Sequence, residues 1–224
     1  MPSTPRVRVK DHRVTVREVC DFTPWYRRLT MDPEGLFEKY IPPAGGYLLV
    51  SVPEENVTVP RAYSIHGVTA DHFYLDFVLH NPAGPGSSWA EAAQVGTHVA
   101  VSEPPFHLQI PKVTQVLLIA DTSALSAAHS IAESLENSQV TLVLVDDHDD
   151  RDRLPTLPGL NTLSVGSLTP EVLSSTTSTM ASDDCFVWAA GERALTKTVR
   201  DFLRNHFRLP REYHHIQTYW IHTA

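Results

Sequence analysis

The pattern of residues changes near position 111, and this change most constrains the fold. Before it, short runs of β-branched, leucine and aromatic residues are interrupted by prolines at 42, 43, 53, 60, 82, 85, 104 and 105. Short strands separated by turn residues are typical of an antiparallel β-barrel. We therefore predict a barrel domain over residues 1–111, with a helix beginning at Ser87 or Ser88. The predicted strands are Arg6–Val19, Tyr47–Val52, Phe73–Leu79 and Val95–Ser102.

Beyond residue 111, apolar runs alternate with helical stretches. Residues 116–120 (Val-Leu-Leu-Ile-Ala) form a continuous apolar run, as expected of a buried parallel strand. Strands alternating with helices predict a parallel sheet with helices on both faces, here over residues 112–224. The predicted strands are 116–120, 140–145, 162–165, 185–189 and 216–221, and the predicted helices are 124–135, 171–180 and 195–206. The expected fold is thus a β-barrel followed by an α/β domain, whose strand ends are where nucleotides bind.

Composition excludes several classes of function. The 224 residues carry a net charge of −8, which argues against a general nucleic-acid binder. No run of 18 apolar residues is present, so we expect no membrane insertion. The first ten residues lack the apolar core of a signal peptide, which predicts a cytoplasmic location. The 12 histidines include no HExxH pattern and no His-x-His spacing with acids, so we predict no metal site.

The segment Arg61-Ala62-Tyr63-Ser64 combines groups that suit a ring and a phosphate. On an extended segment side chains alternate, which puts Arg61 and Tyr63 on one side and Ser64 on the other. An arginine offers a planar fork of donors for phosphate, a tyrosine offers a face for stacking, and a serine can hydrogen-bond a ring nitrogen. The alternative is that Arg61 and Tyr63 are ordinary cross-strand partners on a barrel surface.

The segment Gly84-Pro85-Gly86-Ser87-Ser88 leads into the first predicted helix. Glycines permit close backbone approach, and the N–H groups at a helix N-terminus bind anions. The alternative is a plain turn followed by a serine N-cap. Arg61–Ser64 and this turn together would hold an aromatic ring and a pyrophosphate, which a flavin dinucleotide contains.

Five segments in order resemble the siderophore-interacting protein family, whose members are flavin-dependent ferric-siderophore reductases of ferredoxin-reductase-like fold. The resemblance runs from about residue 7 to the end of the chain. The segments are Arg61-Ala62-Tyr63-Ser64, Leu75-Asp76-Phe77-Val78-Leu79-His80, Gly84-Pro85-Gly86-Ser87-Ser88-Trp89-Ala90, Val187-Trp188-Ala189-Ala190-Gly191-Glu192 and Tyr219-Trp220.

The resemblance implies that the chain binds FAD and that the flavin, rather than a catalytic side chain, carries the chemistry. By this resemblance Arg61 binds the FAD phosphate, Tyr63 stacks on the isoalloxazine and Ser64 approaches its reactive edge. His80 and the turn at 84–88 hold the ribose and pyrophosphate, and Trp220 packs near the flavin or the dinucleotide. The full implied FAD set is Arg61, Ala62, Tyr63, Ser64, His66, Phe77, Val78, His80, Gly84, Pro85, Gly86, Ser87, Ser88 and Trp220.

The resemblance also implies NADH or NADPH as electron donor and a ferric siderophore as substrate. The expected nicotinamide-binding residues are Thr122, Ser123, Asp146, Ala190, Gly191 and Glu192. Asp146 and Asp147 follow the second strand of the sheet, where an acid can pair with a ribose hydroxyl and repel a 2′-phosphate. We therefore hypothesise a preference for NADH, the alternative being that these acids belong to a solvated loop.

Two departures from the family pattern modify these expectations, and the second of them motivates an alternative hypothesis. His66 stands where the family has a second basic residue, often arginine, which predicts a weaker or pH-sensitive grip on phosphate. Ala120-Asp121-Thr122-Ser123 stands where the family has Gly-Asp-Glu-Thr. The chain would then be a flavin-binding module that does not use a nicotinamide directly, and that receives electrons from a ferredoxin or serves in binding or sensing.

Overall fold

The structure, a computed structural model, describes residues 10–222, apart from the side chain of Lys39. The chain divides into two compact units between His107 and Leu108. The first unit is a closed antiparallel β-barrel and the second contains a parallel sheet with helices, so the predicted fold class is confirmed. Residues 6–9 of the first predicted strand lie outside the described residues.

The barrel has six strands in the order β1-β2-β5-β4-β3-β6. Each strand has a hydrogen-bonded neighbour on both sides, although β4 and β5 pair only at Ile65–Leu75 and His66–Tyr74. The strands are β1 (His12–Thr23), β2 (Tyr26–Asp32), β3 (Tyr47–Glu54), β4 (Val57–His66), β5 (Phe73–Val78) and β6 (His98–Ser102). Two short helices accompany them, α1 (Leu36–Lys39) and α2 (Pro85–Ala92).

Two barrel strands, β2 and β4, were not predicted as complete strands. Adjacent Arg27 and Arg28 break the apolar alternation of β2, and Pro60 lies within β4. Pro60 lies opposite Ser51 of β3. Arg28 lies opposite Asp76 of β5, and the two side chains form an ion pair. Pairing with a neighbouring strand thus stabilises these segments as strands, and such a partner cannot be recognised from the local sequence pattern.

The barrel interior is filled by alternate residues of each strand. Leu48 and Val50 of β3 and Leu75 and Phe77 of β5 are among its fully buried side chains. Trp89 of α2 belongs to the same core, so α2 packs on the barrel.

Helix α2 begins earlier than predicted, at Pro85, with Gly84 as its N-cap. The prediction of a serine cap at position 87 or 88 was wrong. A proline at the first helical position has a φ already suited to the helix, and its missing N–H is not needed there.

The second unit has five parallel strands in the order β11-β10-β7-β8-β9. They are β7 (Gln115–Asp121), β8 (Gln139–Val145), β9 (Asn161–Val165), β10 (Cys185–Glu192) and β11 (His214–Trp220), and the helices are α3 (Leu125–Glu133), α4 (Pro170–Thr177) and α5 (Arg193–Asn205). Leu117 and Ile119 share a core with α4 and α5, whereas α3 packs against β7 and β8 from the other face.

No helix among residues 10–222 is both long and apolar enough to cross a bilayer.

Candidate functional site

In the first unit, β4 presents the predicted ring-and-phosphate segment. Its register with β3 places Tyr63 opposite Leu48 and Arg61 opposite Val50, on the face that points to the barrel core. Ser64 lies on the other face, opposite Tyr47, and Ala62 is exposed. Arg61 keeps a half-exposed guanidinium, which donates to the Pro60 carbonyl at 3.1 Å and lies 3.7 Å from the Glu54 carboxylate. The guanidinium is thus only loosely engaged and could bind a phosphate.

Tyr63 is held between β5 and the start of α2. Its ring centroid lies 4.3 Å from that of Phe77, and Phe77 in turn lies 5.6 Å from Trp89. Burial raises the pKa of the Tyr63 hydroxyl to about 12 against the opposing charge of Arg61, so the phenol is neutral at physiological pH. A Cβ at position 86 would overlap the Tyr63 hydroxyl and lie 2.9 Å from Cζ, so only glycine lets α2 approach this ring.

The N-terminus of α2 offers backbone donors beside Tyr63. The Ser88 N–H donates to the Gly84 carbonyl at 2.9 Å, but the N–H groups of Gly86 and Ser87 have no hydrogen-bond acceptor among residues 10–222. Free N–H groups at a helix start are suited to a phosphate. Ser87 itself is buried, and its hydroxyl accepts the His80 N–H at 3.2 Å, whereas Ser88 is exposed.

His80 and Val78 flank this region. The His80 Nδ1 lies 2.7 Å from the Pro82 carbonyl, so Nδ1 carries a proton and donates it to that oxygen. Val78 lies opposite Tyr26 on the outer face of β5. The contacts of these residues with FAD remain predictions.

His66 lies in a buried charged cluster on the outer face of the barrel. The Arg28 guanidinium donates to both oxygens of Asp76, from Nε at 2.7 Å and Nη2 at 2.8 Å, and its Nη2 lies 2.9 Å from His66 Nε2. The Tyr26 hydroxyl donates to the same carboxylate at 3.0 Å. The side chains of His66 and Asp76 are only 4% and 2% exposed, so a phosphate contact by His66, which stays a prediction, would have to reach into this cluster.

The charge on Asp76 is maintained by these partners. Burial alone would raise the pKa of its carboxyl, but the hydrogen bonds and charge of Arg28, with a contribution from His66, hold that pKa well below its usual range. The arginine that neutralises the buried acid comes from β2, in a strand that the sequence analysis did not identify.

This depressed pKa predicts how stability depends on pH. An acid whose pKa is lower in the folded state stabilises the protein above its unfolded pKa of about 4, and this contribution disappears as the pH falls toward the folded value. We expect the difference in unfolding free energy between the wild type and Asp76→Asn to be full at pH 7 and to shrink below about pH 4. Urea unfolding of both proteins across this range measures it, and a difference that grows on acidification would contradict it.

In the second unit, the predicted nicotinamide residues lie at or just after the carboxyl ends of the parallel strands β7, β8 and β10. Asp121 at the end of β7 binds two of them, Ser123 and Glu192, together with Trp220 of the predicted FAD set. Its carboxylate accepts from the N–H and hydroxyl of Ser123, from the Glu192 N–H and from the Trp220 indole N–H. Asp121 was not among the predicted site residues. The signal that could have found it is its identity with the family's acid in the segment that begins at Ala120.

Asp146 is not part of this group of contacts. Its side chain is buried at the end of β8, with Oδ1 2.7 Å from His148 Nδ1 and Oδ2 without a hydrogen-bond partner in the described part of the chain. Thr122 opens a 3-10 turn after β7, and Ala190 is fully buried. Asp147, by contrast, is largely exposed.

Comparison with known proteins places this architecture in a family. Residues 15–108 match the model of the siderophore-interacting FAD-binding domain, and residues 113–223 match that of siderophore-interacting protein. The siderophore-interacting protein SipS from Aeromonas hydrophila has the same fold, with a TM-score of 0.78 at 20% identity over 96% of this chain and 93% of that one.

Two curated relatives cover much of this chain. The mycobactin import ATP-binding/permease protein IrtA of Mycobacterium tuberculosis is 30% identical over 94% of this chain, but this chain spans only 26% of its length. The ferric acinetobactin reductase of Acinetobacter baumannii is 26% identical over 77% of this chain and 64% of its own length. With two adjoining family matches that together run from residue 15 to 223, the chain belongs to the siderophore-interacting protein family.

Proposed function

We propose that this chain binds FAD and reduces ferric siderophores, which releases iron as Fe(II). The observation that carries this proposal is the match of residues 15–108 to a siderophore-interacting FAD-binding domain, in a unit whose side chains suit that cofactor. The relatives named for reduction of ferric acinetobactin and ferric vibriobactin support the same reaction. A cytoplasmic location remains a prediction.

Four features of the first unit suit FAD. The half-exposed Arg61 offers a guanidinium for phosphate, and the N–H groups of Gly86 and Ser87 offer an anion site at the start of α2. Tyr63 offers an aromatic face close to that helix start. Ser64, whose hydroxyl makes no hydrogen bond within residues 10–222, would orient the edge of the ring.

FAD, when bound, supplies the chemistry by accepting a hydride and releasing electrons singly to Fe(III). Reduction favours release because the hard oxygen ligands of siderophores hold Fe(III) better than the softer Fe(II). The neutral Tyr63 would add no charge to a flavin ring stacked on it, and Arg61 would add a positive charge beside a bound phosphate. The protein therefore contributes position and electrostatics.

The test is a ferrous-iron capture assay on the FAD-loaded chain, with ferric mycobactin, acinetobactin and vibriobactin offered separately together with NADH or NADPH. We expect a coloured Fe(II)–chelator complex to form with at least one pair at a rate well above that of free FAD. If no ferric siderophore is reduced even when the bound flavin is reduced chemically, the proposal is wrong.

The second candidate function is a flavin-binding module that does not use a nicotinamide directly. Ala120 and Thr122 favour it, since they stand where the family has glycine and glutamate beside the strand that ends at Asp121. Anaerobic mixing with NADH or NADPH separates the two. Bleaching of the bound flavin supports the nicotinamide-dependent reductase, whereas bleaching only by a reduced ferredoxin supports the module.

We also propose that NADH is preferred over NADPH, because the negative charges of Asp146 and Asp147 would oppose a 2′-phosphate. We expect kcat/KM for NADH to exceed that for NADPH by at least about tenfold, a difference of about 1.4 kcal/mol. Asp146→Asn should reduce this ratio severalfold. Asp149→Asn, which makes the same charge change in the exposed part of the loop, is the control, and equal turnover of both cofactors by the wild type would contradict the preference.

A further inference from the structure

One carboxylate ties together three elements of the second unit. Asp121 Oδ1 accepts from the Ser123 N–H at 2.9 Å and hydroxyl at 2.5 Å, both in the 3-10 turn after β7. Asp121 Oδ2 accepts from the Glu192 N–H at 2.7 Å and from the Trp220 Nε1–H at 2.9 Å. Four donors on one carboxylate restrict its rotation, so the atoms that it binds are held in a defined geometry.

Gly191 allows this close approach. It has a φ of +139°, and a Cβ at this position would lie 2.5 Å from Asp121 Cγ. A side chain there would push the end of β10 away from the carboxylate, which would break the bond to Glu192. The absence of a side chain at Gly191 therefore lets the Asp121 carboxylate lie against the backbone of β10.

Trp220 is the exposed member of this group. It is 45% exposed although it is a large apolar side chain, and its indole N–H is the group bound to Asp121. The hydrogen bond holds one edge of the indole while part of the ring faces solvent. An exposed aromatic ring that is fixed at one edge is suited to stack on another planar ring.

The location of Trp220 in the sheet indicates which ligand would supply the ring that stacks on the indole. It lies at the end of β11, at the edge where all five parallel strands have their carboxyl ends, and this is the edge at which α/β sheets bind dinucleotides. We propose that Asp121 is a positioning residue that holds the Trp220 indole for stacking on a ring of the nicotinamide dinucleotide. The inference rests on the proposed function because it concerns the electron donor of that reaction.

The kinetic test compares Asp121→Asn, Trp220→Phe and the double variant. Asparagine keeps the size of the side chain but turns an NH2 group toward one pair of donors, and phenylalanine keeps a ring but loses the donated bond. We expect each single variant to raise KM for the nicotinamide about five- to tenfold with kcat changed less than about twofold. Because both substitutions remove the hydrogen bond between Asp121 and Trp220, KM of the double variant should be no higher than that of the single variant with the higher KM.

Asp184→Asn is the matched control. Asp184 lies at the opposite edge of the same sheet, just before β10, and its carboxylate accepts from the Thr114 N–H at 2.8 Å and hydroxyl at 2.5 Å. Its loss should affect stability without changing KM. If Asp121→Asn lowers only the unfolding midpoint, as Asp184→Asn does, Asp121 is merely structural and the proposal is overturned.

A second readout does not depend on turnover. The indole N–H resonance of Trp220, assigned by its absence in Trp220→Phe, should exchange slowly with solvent in the wild type and at least about tenfold faster in Asp121→Asn. Addition of NADH should shift this resonance in the wild type. If NADH reduces the flavin but leaves the resonance unmoved, the inference fails while the proposed function stands. If the chemically reduced protein reduces no ferric siderophore, the proposed function fails, and the response of Trp220 to NADH still decides the inference.

Discussion

Gly86→Ala is expected to reduce FAD binding by at least about tenfold. The new Cβ would overlap the Tyr63 hydroxyl, so either the start of α2 or the tyrosine ring must move. Overpacking of this kind costs about 1–3 kcal/mol. A cost of 1.4 kcal/mol that falls on the bound geometry corresponds to tenfold in affinity. Because Tyr63 and the N–H groups of α2 are both proposed to hold FAD, displacement of either one separates the ring contact from the phosphate contact.

The measurement is the dissociation constant of FAD, obtained by titration of the apoprotein. Gly166→Ala is the control variant, since a Cβ there would meet no atom within 4 Å and Gly166 lies in the second unit, outside the predicted FAD residues. We expect Gly166→Ala to change the FAD dissociation constant less than about twofold. Equal binding by Gly86→Ala and the wild type would show that the distance between Tyr63 and α2 does not matter for FAD.

Asp76→Asn is expected to lower the unfolding free energy of the barrel by about 3–5 kcal/mol, the range found when one partner of a buried ion pair is removed. The substitution leaves the Arg28 guanidinium, which is only 14% exposed, without its counter-charge. Arg28 also lies over the rings of Phe22 and Tyr74, at 5.2 Å and 4.6 Å from their centroids, and so cannot turn to solvent without losing these contacts.

The neighbouring pair Asp21–Arg27 provides the control for this experiment. Its N–O distance of 2.6 Å is similar, but the Asp21 side chain is 50% exposed. Asp21→Asn should therefore cost no more than about 1 kcal/mol. Urea unfolding of both variants gives the comparison. Replacing both buried charges, as in Arg28→Met with Asp76→Leu, should cost less than Asp76→Asn alone, and equal losses in Asp21→Asn and Asp76→Asn would contradict the role given to burial.

The candidate site was only partly predictable from the sequence. Arg61, Tyr63 and the turn at 84–88 were recognisable because each is a local pattern with a chemical meaning. That Gly86 must be glycine because of Tyr63 was not visible, since the two residues belong to separate elements that only packing brings together. The contact between Asp121 and Trp220 was not predictable from a local pattern, because the two residues are 99 positions apart.

The sequence by itself determined the order and class of the two units, because proline-bounded short strands and alternating strand–helix runs are signals within a few residues of each other. It also determined the family. Only the tertiary structure decided that β2 is a strand, that His66 is buried beside Arg28 and Asp76, and that one carboxylate holds Trp220 at the strand ends. Each of these depends on a contact between residues far apart in the chain, whose energy exists only once the barrel has closed or the sheet has formed.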